Sequence, residues 1–157
     1  MELITDDFIE RIIKSGDLAE AQIRIRGSVA HPRVNALPKK LTTWTLICEE
    51  ITDTEHESDW YDTVIAELLR RGFSYEQIDQ MRRFAWRTAG WLNYDCVLWE
   101  WVFLDEKHIQ HALDLQLETG RITPAQHHDG LLYLADPTGA PPTLQCSGPE
   151  KTVKHGE

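Results

Sequence analysis

Apolar residues recur along much of the chain at the spacing of one helix face. Phe8, Ile9, Ile12 and Ile13 follow Thr5, Asp6 and Asp7 and stop at Ser15-Gly16, which predicts a helix over residues 6–14. Trp44, Ile47, Cys48 and Ile51 fall at i, i+3, i+4 and i+7, so a helix is expected from Thr42 or Thr43, with Glu49, Glu50 and Asp53 opposite the stripe. Trp60, Val64, Ile65, Leu68 and Leu69 form the next stripe, and Gly72 is placed to end it with a left-handed C-cap. Ile78, Met81, Ala85 and Ala89 continue at helical spacing to Gly90. A longer helix starting at Asn93 or Asp95 would bury Leu98, Trp101, Val102, Ile109, Ala112, Leu113 and Leu117 before Gly120.

Capping residues punctuate these stripes. Asp17 with Glu20, and Ser74 with Gln77, have capping-box spacing, while Thr123-Pro124 places an N-cap before a proline at the first helical position. The short link after Gly120 then predicts an antiparallel hairpin of residues 105–119 and 124–134. Two stretches read differently. Ile23 and Ile25 alternate with Arg24 and Arg26, so residues 22–27 suit either a second helix or a short β element. Pro32 and Pro38 make 28–40 a loop. The expected architecture is a mainly α, single-domain bundle of about six helices over 1–135. A tail rich in Pro and Gly over 136–157 follows, draped on the domain or on a neighbour.

Composition narrows the role. With 157 residues the chain suits one core, and 16 Lys and Arg against 26 Asp and Glu give a net charge of −10 that repels nucleic acid. The N-terminus lacks a basic-then-apolar leader, and the apolar run from Cys96 to Leu104 is about half the roughly 20 residues of a spanning helix, so a cytoplasmic protein without membrane contact is expected. Cys48, Cys96 and Cys146 are odd in number and widely spaced, which points to reduced, mostly buried thiols. For Cys96, within that apolar run, burial is expected to quiet the thiol.

The charges are unevenly distributed. From Leu41 to Leu69 stand Glu49, Glu50, Asp53, Glu55, Glu57, Asp59, Asp62 and Glu67 without one Lys or Arg. Basic segments flank them, with Arg24, Arg26, Arg33, Lys39 and Lys40 before and Arg70, Arg71, Arg82, Arg83 and Arg87 after. The bland account is a solvated acidic face neutralised by those flanks. The functional account is a docking surface, Glu49 to Asp62, for a basic protein, including a nucleic-acid-binding protein whose groove the carboxylates occupy in place of phosphates. Six tryptophans are many for this length, and Trp86 shares a helix side with Arg82 and Arg83. Trp99 and Trp101 lie about 200° apart on a helix, so at least one indole is expected near the surface, for a partner or for a second copy in a homodimer.

Histidine supplies the one metal-like pattern. His108 and His111 are helix neighbours flanked by Asp105 and Asp114, and the predicted hairpin returns His127 or His128 to the same level. Residues 68–78 have a helix–glycine turn–helix rhythm followed by Arg82, Arg83 and Arg87, the outline of a DNA-reading motif that the net charge opposes. No phosphate loop, dinucleotide fingerprint, serine elbow or zinc-protease motif is present, and no cofactor is implied. The expectation is therefore a small, acidic, non-catalytic binding protein of the inhibitor, immunity or adaptor kind. A metal-binding bundle or enzyme built on His108, His111 and His127 is the alternative.

Overall fold

A computed structural model describes residues 2–27, 36–52, 56–96 and 104–144. In chain order these form α1 (Asp6–Ser15), α2 (Asp17–Arg26), α3 (Ala36–Lys40), α4 (Thr43–Ile47), a 3₁₀ turn (Cys48–Glu50), α5 (Ser58–Arg70), α6 (Tyr75–Ala85), a π-helix (Trp86–Asp95), α7 (Glu106–Glu118) and α8 (Pro124–Ala135). The fold is all-α, with no strand among the described residues. Residues 22–26 are helical because their buried stripe is not the Ile–Arg alternation. Leu18, Ala21 and Gln22 are buried and Ile25 half-buried at i, i+3, i+4 and i+7 from Leu18, whereas Ile23 is left outside at 66% exposure.

Local chemistry explains the helix ends. Thr5, Thr42, Ser74 and Thr123 each accept a backbone N–H in the first turn of the helix they precede, and the last two form full capping boxes with Gln77 and Gln126. Gly72 and Gly120 take φ of 100° and 79°. Each closes its helix by a Schellman pair: Phe73 N to Leu68 O and Gly72 N to Leu69 O, then Arg121 N to Gln116 O and Gly120 N to Leu117 O.

Three boundaries differ from the sequence pattern. Residues 36–40 are helix rather than loop: Pro38 lies in the first turn, where a missing N–H breaks no helical bond, and Arg71 donates to the carbonyls of Pro38 and Leu41. The helix that begins at Tyr75 does not stop at Gly90 but widens into the π-helix through Asp95. Finally, α7 starts at Glu106, with Asp105 as N-cap; Leu98, Trp99, Trp101 and Val102 lie outside the described residues.

The π-helix forms where side chains take over helical carbonyls. Thr88 Oγ1 donates to Phe84 O at 2.8 Å, Gln116 of α7 donates its Nε2 to Arg87 O at 2.9 Å, and Cys96 N reaches Trp91 O at 3.1 Å in the wider register. Gly90 lies directly beneath Trp86, so close that a Cβ there would sit 2.7 Å from the indole. Asp95 at the far end accepts the backbone N–H groups of Leu3 and Ile4, at 2.7 and 3.2 Å.

One core runs through the bundle around α4, whose Trp44, Leu46 and Ile47 are buried together with Cys48. Trp44, Phe84 and Tyr133 pack ring to ring with centroids 4.9–5.8 Å apart, and Trp44 Nε1 donates to Leu134 O at 2.9 Å. The Tyr133 hydroxyl, buried with them, has no hydrogen-bond partner, and burial pushes its pKa up. Trp86 and Trp91 are also buried; Trp86 is not at the surface beside Arg82, because Arg82 itself is interior. Cys96 is exposed rather than buried, at the π-helix C-cap, and residual desolvation followed by Asp95 raises its thiol pKa. Beyond Ala135 the chain turns at Asp136–Gly139 and runs back along α8. Gln126 Nε2 donates there to Thr143 O at 3.0 Å, and Leu144 is buried.

Replacing Gly90 by alanine forces the Trp86 ring or the π-helix backbone to move. The expected cost is about 1–3 kcal/mol, read as a lowered urea midpoint with unchanged slope.

Candidate functional site

The acidic segment is divided by the fold into an interior half and an exterior half. Its first two carboxylates follow α4, a central helix that leaves them no solvent face. Glu49 is buried, where its Oε1 accepts Trp60 Nε1 at 3.0 Å and faces His56 Nε2 at 3.1 Å. The His56 ring packs near those of Trp60 and Tyr61, with centroids 5.2 and 5.7 Å away. Burial raises the Glu49 pKa, and the indole and imidazole only partly oppose this.

Glu50 meets Arg82 in the interior, with side-chain exposures of 2% and 0%. The guanidinium makes five hydrogen bonds, matching its five N–H donors: Nε to Glu50 Oε2 (2.7 Å), Nη2 to Glu50 Oε1 (3.0 Å) and Ile12 O (2.9 Å), and Nη1 to Ile13 O (3.0 Å) and Asp79 Oδ1 (2.9 Å). Glu50 also accepts Leu18 N and Trp86 Nε1, and Asp79 accepts Gln22 Nε2 at 2.9 Å. Glu67, fully buried in α5, is held by Arg70 Nε and Nη2 and by Arg71 Nε at 2.6–2.9 Å. The Arg70 bond chiefly, aided by Arg71, lowers its pKa to about 2 against the opposing effect of burial.

These placements correct the expected docking face. Glu49 and Glu50 do not point outward, because a buried carboxylate requires partners and the core supplies them. Asp62 is half-buried and pairs with Arg24 Nε at 2.8 Å. Glu57 and Asp59 are exposed at the start of α5, Asp59 in the first turn where the helix dipole favours an anion. Asp53 and Glu55 lie outside the described residues. The signal for Arg82 was present in the sequence: it stands at i+4 from Ile78 and next to Met81, inside a buried stripe, and a charge there calls for an interior counter-charge.

The histidines do not converge. His108 is tied to its own N-cap, its Nδ1 lying 3.1 Å from Asp105 N and 3.0 Å from Asp105 Oδ1. His127 pairs across the hairpin with Asp114 at 2.8 Å, and His111 and His128 are exposed. Among the described residues no group of three or more His, Cys, Asp or Glu is placed to hold a metal ion. Cys48 is wholly buried, and desolvation, with several nearby carboxylates, raises its thiol pKa.

The helix–turn–helix outline exists as α5, Gly72 and α6, yet its basic residues are spent internally. Arg82 is in the core, Arg83 forms a two-bond pair with Glu10, and Arg87 pairs with Asp6. No family model matches the chain, and no curated protein or solved structure shows significant similarity to it. No helix of the described residues is long and apolar enough to cross a membrane.

Arg82→Ala leaves the Glu50 carboxylate interior and unpaired, with an expected loss of about 3–5 kcal/mol. In a double-mutant cycle, Arg82→Met with Glu50→Leu should cost clearly less than the two single changes summed, read from urea unfolding.

Glu67 sets an acid limit. Its folded pKa lies below its unfolded value, so its stabilisation is complete above about pH 4.5 and is lost as pH falls toward about 2. Glu67→Gln should therefore flatten the fall in unfolding free energy between pH 5 and 2. Glu49, whose pKa is raised, acts oppositely: its contribution declines as pH rises through its folded pKa.

Proposed function

We propose that the protein is a non-catalytic binding protein of the inhibitor, immunity or adaptor kind, working in the cytoplasm, whose partner presents a basic surface. One observation carries this reading. Among the described residues Arg24, Arg70, Arg71, Arg82, Arg83, Arg87 and Arg121 all engage carboxylates of this same chain. The matching carboxylates are Asp62, Glu67, Glu50, Asp79, Glu10, Asp6 and Glu2.

Such pairing consumes one cation per anion, so the net −10 is carried by groups outside it. Glu57 and Asp59 belong to those groups, and so does Glu20, exposed on α2 one turn before the Arg24 that pairs with Asp62 of α5. Exposed cations such as Arg11, Lys14 and Lys107 share the exterior, and the excess of carboxylates over them leaves a net negative field that steers an oppositely charged partner and speeds its encounter. The same field disfavours DNA and RNA, so a nucleic-acid-binding protein suits the reading better than nucleic acid itself.

The test is charge reversal at exposed carboxylates outside these ion pairs, where only a modest helix-dipole contribution is lost. A variant carrying Glu20→Lys, Glu57→Lys and Asp59→Lys should keep the helical circular dichroism. It should lose a basic protein that the wild type captures from native extract at low salt, and wild-type capture should itself weaken as salt rises. Capture equal in both forms, or insensitive to salt, would refute the assignment.

A further inference from the structure

A groove of about 540 Å³ lies between α8 and the returning C-terminal segment. One wall is a single face of α8, Asp129, Leu132, Tyr133 and Asp136 at i, i+3, i+4 and i+7; the other is the chain from Gly139 to Thr143. The turn whose Gly139 N donates to Asp136 O closes one end, and the Gln126 to Thr143 bond closes the other. The groove is thus a slot between two antiparallel walls, tied at both ends.

Its chemistry has a definite polarity. Leu132 is 57% exposed, among the most exposed large apolar side chains of the described residues. A carboxylate stands on either side of it along the helix, and no Lys, Arg or His lines the groove among the described residues. Asp129 is exposed, and Asp136 accepts Thr138 N and Oγ1 through one oxygen only. Asp129 and the C-cap Asp136 stand seven positions apart along α8, an axial rise of about 10 Å, and long cationic side chains at i and i+4 of an extended chain share one face and reach both, with the residue at i+2 between them.

We infer that this slot seats an extended peptide segment of a partner protein in which two Lys or Arg residues, four positions apart, flank a large apolar side chain midway between them, so that all three face the α8 wall. The apolar side chain covers Leu132, and the two cations reach Asp129 and Asp136. This inference rests on the reading of the protein as a binder of basic surfaces and names where on the molecule one such contact is made. Charge complementarity selects the occupant: an acidic or neutral apolar peptide would bring no counter-charge to either carboxylate, and a bare polycation would leave Leu132 wet.

The probe is a fluorescein-labelled, end-capped hexapeptide with two lysines four positions apart and a leucine midway between them, titrated with the full chain and followed by anisotropy at low salt. Binding should weaken severalfold on Asp129→Asn or Leu132→Ala and roughly tenfold on combining them, and a peptide with glutamates in place of the lysines should not bind. Both substitutions are of exposed side chains, and amide chemical shifts of the folded variants report that the helices are intact. Unchanged affinity in both variants, or equal binding of the glutamate peptide, overturns the inference. Capture of the native partner separates the two proposals. Loss with the Glu20, Glu57 and Asp59 reversal but not with Asp129→Asn and Leu132→Ala overturns the groove alone, whereas capture insensitive to every acidic change overturns the reading beneath it.

Discussion

The bundle is organised around one buried ion pair, Arg82 with Glu50. A guanidinium taken out of water is tolerated only when its donors are satisfied, and its carboxylate only when its oxygens are, so the pair and the groups bonded to one or other member draw on five separate parts of the chain. The carbonyls of Ile12 and Ile13 end α1, Leu18 N starts α2, Glu50 closes the 3₁₀ turn, Asp79 lies one turn back on α6, and Trp86 opens the π-helix. The bonds set positions to tenths of an ångström that apolar packing alone would leave looser. Such a pair adds little net stability over a well-packed apolar substitute, and its larger effect is on which arrangement of helices is adopted.

The helices were largely legible because their causes are local. Capping residues, glycines with positive φ and stripes at 3.6-residue spacing act within a turn or two, and Ser74, Thr123, Gly72 and Gly120 all perform as their chemistry dictates. The failures have non-local causes. The π-helix depends on Gln116, a side chain 29 positions from the carbonyl it takes. Helix α3 depends on Arg71, which reaches its carbonyls from α5's C-cap.

The acidic segment was misread for a related reason. A run of like charges in sequence is not a run in space: α4 lies in the core and the 3₁₀ turn after it carries Glu49 and Glu50 inward, and Glu67 is taken up by the arginines that follow it. Among the described residues of the segment, Glu57 and Asp59 remain exposed, on α5 and its N-cap, and Glu20 is exposed on α2, which packs against α5. The slot beside α8 was invisible for a different reason: nothing in the order of residues says that the chain after Ala135 doubles back to face Asp129 and Leu132.

The arginine side of α6 also has a consequence for α1. Asp95 takes Leu3 N and Ile4 N, Arg87 takes Asp6, Arg83 takes Glu10 and Arg82 takes the last carbonyls, so α1 is gripped at successive levels by residues 69–92 positions later. In chain order this amphipathic helix meets α2 at once, but its contacts with α6 and the π-helix form only when those residues follow. At ordinary elongation rates that is a wait of roughly 4–18 seconds. The seat of Phe8 against Trp86, with ring centroids 5.5 Å apart, is therefore completed only after α6 and the start of the π-helix have been made.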